Sequence, residues 1–405
     1  MLDRVHEFDV IIVGSGIAGS ALACALGGSS MRVAIIEAQA LSTQWPDQKD
    51  SVDGFDSRVS ALTIASQDFL QSISVWPAIV EKRVSPYRHM HVWDAEGTGS
   101  IDFSASDINE PFLGHIVENR LTVNALVRRM EQCSNVQIID QMRLEKFSSG
   151  DEGNEIVLAD RRVLRAPLVV AADGANSQIR AQAGFVMREW EYGHKAIVAT
   201  VQTSKKHQQT AWQRFLPEGP LAFLPLQSSN PDEHLCSIVW SAIPQYAENL
   251  MEQNDSEFRQ SLAAAFEYQL GDVTAISSRS CFPLKQRHAV SYVKTGLALV
   301  GDAAHTIHPL AGQGINLGLM DVKVLAEELL HAESRGLSPG ELTSLQRYER
   351  RRKGSNLAMM ASMEGFKRLF EQRSLPIRWA RNTGMHWLNK TSLLKHQLMR
   401  KAMGL

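Results

Sequence analysis

The apolar positions of this chain fall into short runs punctuated by turn residues. Asp9-Val-Ile-Ile-Val13 and Arg32-Val-Ala-Ile-Ile36 are uninterrupted in the way of strands buried on both faces. The small-residue stretch Ile17–Leu26 between them reads as a helix entered through a glycine turn. Two further runs, Leu168–Ala172 and Leu297–Val300, stop at Asp173-Gly174 and Gly301-Asp302. The second leads through small residues into a long helix over about Gly314–His331. Lys195–Val201 and Leu235–Trp240 alternate instead, which predicts a mixed or antiparallel sheet. Asp56–Leu62 reads as the start of a helix, and the polar, irregular Ala40–Gly54 as a mobile loop.

These elements predict an α/β protein. A discontinuous Rossmann-type domain is expected from 1–80, 110–183 and 285–330, a mixed β-sheet substrate domain from 81–109 and 184–284, and basic C-terminal helices over 331–405. The uncharged run Val10–Met31 has the length of a membrane span, but five glycines interrupt it and Asp3, Glu7 and Asp9 precede it. Strand, turn and helix account for it better.

Composition narrows the class. The 405 residues carry 42 Lys+Arg against 44 Asp+Glu, a net charge of −2 that excludes an electrostatic nucleic-acid binder. With 44% hydrophobic and 21% charged residues, the chain can bury a large core. Four dispersed cysteines without CxxC suggest reduced thiols in a cytoplasmic protein and neither a zinc ribbon nor a disulfide scaffold. The charge is unevenly spread: residues 341–405 hold 14 Lys/Arg and 4 Asp/Glu, or +10, leaving −12 on the rest. Such a tail suits an anionic membrane surface or acidic partner, and equally a solvated helical face.

Gly14-Ser-Gly16-Ile-Ala-Gly19 is a GxGxxG loop between strand and helix. Gly14 permits the tight turn, Gly16 admits a pyrophosphate close to the backbone, and Gly19 lets helix and strand pack. Glu37, 18 residues beyond Gly19 at the end of the second strand, is placed to accept hydrogen bonds from a ribose diol. This unit predicts an adenine dinucleotide and does not separate NAD from FAD.

The later motifs carry a resemblance. Val300-Gly-Asp-Ala-Ala-His-Thr-Ile-His-Pro-Leu-Ala-Gly-Gln-Gly-Ile-Asn-Leu-Gly318 resembles the GD motif of FAD-dependent aromatic hydroxylases, and specifically the signature of the ubiquinone-biosynthesis hydroxylase family. Asp173-Gly174-Ala-Asn-Ser177-Gln-Ile-Arg180 resembles the DG motif of the same enzymes. Gly114–Asn119, Ala222–Leu226, Leu235–Ser241, Arg347–Arg350 and Lys401–Leu405 are similar to the 2-polyprenylphenol hydroxylase branch. The resemblance implies FAD as cofactor. Asp302 would meet the ribityl chain, and Gly312, Gly314 and Asn316 the pyrimidine edge of the isoalloxazine. Asp173 and Gly174 would lie near the pyrophosphate and the route of NAD(P)H. Arg58 and Arg120 would lie near the flavin or its phosphates.

The implied activity is hydroxylation of a polyprenylated phenol with NAD(P)H and O2 through a flavin C4a-hydroperoxide. A sister ring hydroxylase, another flavin enzyme on this fold and a flavin-bearing subunit of a quinone-biosynthesis complex remain open alternatives. No acid–base residue stands out: His305, His308 and Pro309 flank the flavin loop, and His115 is a further candidate. The His-x-x-His pair lacks the additional ligands of a metal site, so no metal is expected. Phe223, Leu224 and Pro225 are candidates for the substrate side, with an ordinary strand core as the rival reading. Trp379, Trp387 and neighbouring leucines among the tail cations suggest peripheral contact at the inner membrane, docking into a complex, or a homo-oligomer contact.

Overall fold

A computed structural model describes residues 5–150, 153–230, 232, 234–307, 313–372 and 374–404. The fully buried runs assemble into a six-stranded sheet. Its order is Val293–Lys294, Leu297–Leu299, Leu168–Ala171, Val10–Val13, Val33–Ile36 and Val136–Ile139. All neighbours are parallel except the first pair. Registers Val13↔Ile36, Val13↔Ala171 and Ala171↔Leu299 bring the carboxyl ends of four strands to one edge. The residues that follow them there are Gly14, Glu37, Ala172-Asp173 and Val300-Gly301. Helices Ile17–Ala25, Asn119–Met130 and Gln313–Ser334 pack on this sheet and with it enclose the largest core.

The alternating segments form a nine-stranded mixed sheet centred on Met187–Thr203 and Leu235–Ala242. Among the described residues its single parallel pairing joins Thr210–Leu216 to His89–Asp94. Strand Ser280–Ala289 lies wholly within this sheet, across the 284/285 division drawn from sequence. The short strand His305–Thr306 pairs with Ser280–Ala289, so the chain after Gly301-Asp302 is stitched directly to the second sheet. Helices Pro244–Glu252 and Asp255–Ala265 cover its outer face, burying Trp240 and Phe258.

Two local expectations are corrected. Val59–Leu62 is a strand, antiparallel to Gly114–Glu118, rather than the start of a helix. Asp56 opens no helix of its own: its carboxylate accepts from Arg58 N, shaping a turn, and from Arg120 N in the first turn of helix Asn119–Met130. The helix starts at Ile64, where Thr63 Oγ1 accepts from Ser66 N at 3.3 Å. Ala40–Gly54 is irregular, as its composition implies, but fastened. Asn124 Nδ2 donates to the Ser42 and Gln44 carbonyls at 2.8 and 2.7 Å, and Arg83 reaches the carbonyls of Lys49 and Gly54.

The C-terminal residues form helices Leu342–Glu371, Leu375–Lys390 and Ser392–Met403. They dock on the body through buried polar bonds as well as apolar contact. Arg381 meets Asp94 at 2.5 Å with both side chains buried, and Met399 and Met403 enter a core shared with Phe55, Tyr87 and Leu224. Among the described residues no helix is long and apolar enough to cross a membrane.

Candidate cofactor site

A cavity of about 720 Å³ opens at the carboxyl edge of the parallel sheet, where open α/β sheets bind their ligands. Gly14, Gly16, Glu37, Arg58, Asp173, Gly174, Asp302 and Gly314, separate in sequence, all line it. The three loop glycines differ physically. Gly14 has φ +99°, and a Cβ there would meet Ala172 O at 2.5 Å. A Cβ on Gly19 would stand 1.9 Å from Gly14 O, so Gly19 serves packing and does not line the cavity. A Cβ on Gly16 meets no protein atom within 4 Å and would occupy the cavity itself. Gly16 also starts helix Ile17–Ala25 without a side-chain cap, leaving first-turn N–H groups for an anionic ligand.

The carboxylates have distinct surroundings. Glu37 accepts from Ser15 N at 2.8 Å and Gln39 N at 3.0 Å, which ties the glycine loop to the second strand. Asp173 accepts through Oδ2 from Gln178 N at 2.7 Å, while its buried Oδ1 has no partner among the described residues. Burial raises its pKa above the ordinary carboxylate range, opposed by bonds from Ser177 and the following amides. Asp302 is solvent-accessible, yet protein surrounds it closely enough that desolvation raises its pKa, with His305 and Arg58 opposing. The Arg58 guanidinium makes no hydrogen bond or ion pair among the described residues, and its charge reaches the cavity beside Asp302, whose pKa it lowers. An uncapped helix start, an open glycine, an unpaired guanidinium and an orphan carboxylate oxygen fit an FAD molecule that brings both phosphates and hydroxyls.

Other expected residues lie elsewhere. Arg120 turns away, donating to Glu118 Oε2 at 2.8 Å and Gly54 O at 2.7 Å, and its neighbour Asn119 lines the cavity instead. The Asn316 side chain braces two elements: Oδ1 accepts from Thr63 N and Ser66 Oγ, and Nδ2 donates to Ala61 O. His305 is buried against Asp321 at 2.5 Å and does not line the cavity. His308, Pro309 and Gly312 lie outside the described residues. Phe223 packs on the outer face against Phe266, ring centroids 4.0 Å apart, because strand alternation turns it from the inner face that Leu224 occupies. Pro225 is buried beside them.

Sequence reasoning passed over Arg143 and Asn176, which also line the cavity, and Asp321, Arg352 and Asn356 beneath it. A signal for the last three exists. Asp321 sits four residues from both Leu317 and Leu325, and Arg352 and Asn356 continue the line of Tyr348, so polar groups interrupt otherwise buried helical stripes.

Comparisons with known proteins agree with this geometry. A family model described as an FAD binding domain matches residues 7–362. The 3-demethoxyubiquinol 3-hydroxylase of Escherichia coli strain K12 is 37% identical over 397 residues, covering 98% of each chain. The mitochondrial ubiquinone biosynthesis monooxygenase COQ6 of Xenopus tropicalis is 34% identical, covering 97% of this chain and 92% of its own. Among solved structures, p-nitrophenol 4-monooxygenase PnpA of Pseudomonas putida DLL-E4 superposes with a TM-score of 0.77 at 19% identity over 99% of each chain, a likeness of fold. With the cavity, its donors and acceptors and the whole-length similarity taken together, the chain belongs to the ubiquinone-biosynthesis FAD hydroxylase family and is an FAD-dependent monooxygenase.

Proposed function

We propose that this protein hydroxylates the aromatic ring of a polyprenylated phenol in ubiquinone biosynthesis, using NAD(P)H and O2, and that its step is the 2-polyprenylphenol hydroxylation. The observation that carries the pathway is similarity over the full length to hydroxylases named for it, at 37% and 35% identity. The chemistry supplied by bound flavin is hydride acceptance from NAD(P)H and activation of O2 for transfer to an electron-rich ring.

The chain's own residues hold the flavin. Glu37 and the glycine loop receive the adenosine half, the first helix start and Arg58 face the phosphates, and Asp302 and Gly314 line the flavin end. Helix Gln313–Ser334 points its N-terminus at the cavity and favours negative charge there. The inner apolar face with Leu224, Leu226 and Leu235 packs into a dry core against Phe55, Tyr87 and Ile116.

A second reading has one specific observation in its favour. The E. coli relative is named as a 3-demethoxyubiquinol 3-hydroxylase, a different ring substrate. Expressing the chain in bacterial strains that lack one ring hydroxylase each, with mass spectrometry of their prenylated intermediates, decides. Rescue confined to the strain accumulating 2-polyprenylphenol is the expected result. Rescue confined to the demethoxyquinol strain transfers the assignment to the sister step, and rescue of neither by a flavin-loaded chain removes both.

The tail helices are the inferred route to this greasy substrate. Leu375, Trp379 and Trp387 are 75%, 71% and 59% exposed on the basic segment, a composition that suits an anionic bilayer surface. Because Arg381, Met399 and Met403 are buried, point changes test this more cleanly than truncation. Replacing Trp379 and Trp387 with Ser should lower co-sedimentation with phosphatidylglycerol vesicles several-fold while bound FAD is retained. Unaltered sedimentation would remove the membrane role.

A further inference from the structure

We propose that Asp321 is a positioning residue for the cofactor loop, and that helix Leu342–Glu371 acts on the cavity through it. Asp321 stands in the middle of helix Gln313–Ser334 and is 0% exposed. Four donors converge on its carboxylate. Oδ2 accepts from His305 Nε2 at 2.5 Å and from Gly301 N at 3.3 Å. Oδ1 accepts from Arg352 Nε at 2.8 Å and Asn356 Nδ2 at 3.0 Å. Arg352 is itself held, donating to Asn356 Oδ1 at 2.7 Å and to Leu317 O at 3.4 Å.

The placement of these donors carries the inference. Gly301 precedes Asp302 and His305 follows it, so one carboxylate grips the loop on both sides of the residue that lines the cavity. The carboxylate of Asp302 has no hydrogen-bond or ion-pair partner of its own among the described residues. Its direction is therefore set by its backbone, which begins at Gly301 with φ +57°. A buried ion pair is a costly way to fill a core, and apolar residues of similar volume would stabilise the chain at least as well. A cluster that instead ties a loop, a cavity-lining helix and a C-terminal helix to one point gains its value from geometry. The same C-terminal helix reaches the second sheet, where Lys367 Nζ donates to Tyr192 O and Phe370 stacks on Phe215 at 3.7 Å. Helix Leu342–Glu371 thus registers the substrate sheet against the cofactor loop.

The inference rests on FAD occupying the cavity and not on which ring is hydroxylated. Three variants of the full chain test it: D321N, which keeps the shape but removes the charge; R352K, which keeps the charge but removes the planar fork; and L329A, a packing change in the same helix far from the loop. Flavin titration, the visible spectrum of bound FAD and the thermal midpoint of the apoprotein are read for each, with the parent chain's titration first establishing that FAD binds. D321N and R352K should weaken FAD binding about tenfold or more and shift the visible band. L329A should lower the midpoint as much and move neither. If D321N does not fold, R352K decides alone. Wild-type affinity and spectrum in the folded variants, or equal changes in L329A, would overturn the proposal.

Discussion

Gly16→Val is expected to abolish FAD binding in a chain that still folds, whereas Gly19→Ala should damage the fold itself. The two glycines sit three residues apart in one loop, and the separate roles the motif gives them, phosphate approach and helix–strand packing, acquire distances here. At Gly16 an added Cβ finds open space, and valine's methyl groups would project into the cavity. Nothing in the apoprotein is displaced, so its thermal midpoint should move little. Filling the place where a phosphate approaches the backbone should weaken FAD by at least about 100-fold, roughly 2.8 kcal/mol. At Gly19 the added Cβ would stand 1.9 Å from Gly14 O. Gly14 cannot retreat, because its left-handed backbone is pressed against Ala172 and Asp173. Relief has to come from separating helix and strand, at a cost of about 3 kcal/mol or more. Flavin titration beside calorimetry of each apoprotein checks the pair. A Gly16→Val chain that binds FAD normally would show that the phosphates do not pass over this glycine.

The roles of these glycines could be read from the chain because they depend on neighbours close in sequence. The parallel sheet was legible because Val10–Val13, Val33–Ile36 and Leu168–Ala171 are apolar at every position, and each ends at a residue suited to a turn or an acid. Local chemistry was enough to place Gly14, Glu37, Asp173 and Asp302 at the cavity. Errors arose where a partner distant in sequence decides. Val59–Leu62 becomes a strand because Gly114–Glu118 is there to pair with it. Period-two alternation separates Phe223 from Leu224, but only the packing of Phe258 and Phe266 determines which side faces solvent helices and which faces the other sheet. Arg120 follows a correct motif, but its guanidinium is drawn to the carbonyl of Gly54, 66 residues earlier, as well as to the adjoining Glu118. Asp321 and Arg352, 31 residues apart, acquire meaning only when two helices cross.

Acidification is expected to undo this architecture between about pH 6.5 and 4, before ordinary carboxylates are protonated. His115, His194 and His288 are buried, and desolvation holds all three down to about 4. Lys367 adds to the effect at His194, and His305 and Lys353 at His288. His115 is the plainest case, its ring wedged between Trp76 and Phe112 with Nδ1 unpartnered among the described residues. The sign follows from linkage. In the unfolded chain a histidine takes up its proton near pH 6.5, while the folded chain resists until about 4. The unfolded state binds more protons throughout that window, so stability falls as pH falls. Each histidine contributes up to about 3 kcal/mol of that loss, and three together are comparable with the whole stability of a typical domain. Asp173 and Asp302, whose pKa values are raised, oppose the trend because their folded forms take protons first. Asp321, held below its ordinary value by His305 and Arg352 against the effect of burial, loses its contribution only at still lower pH. Urea midpoints measured from pH 7 to 4.5 should therefore decline steeply. His115→Leu should flatten the decline by about one proton, since it removes the titrating group while keeping the space filled. An unchanged slope in that variant would mean that His115 reaches solvent, and with it a proton, in the folded chain.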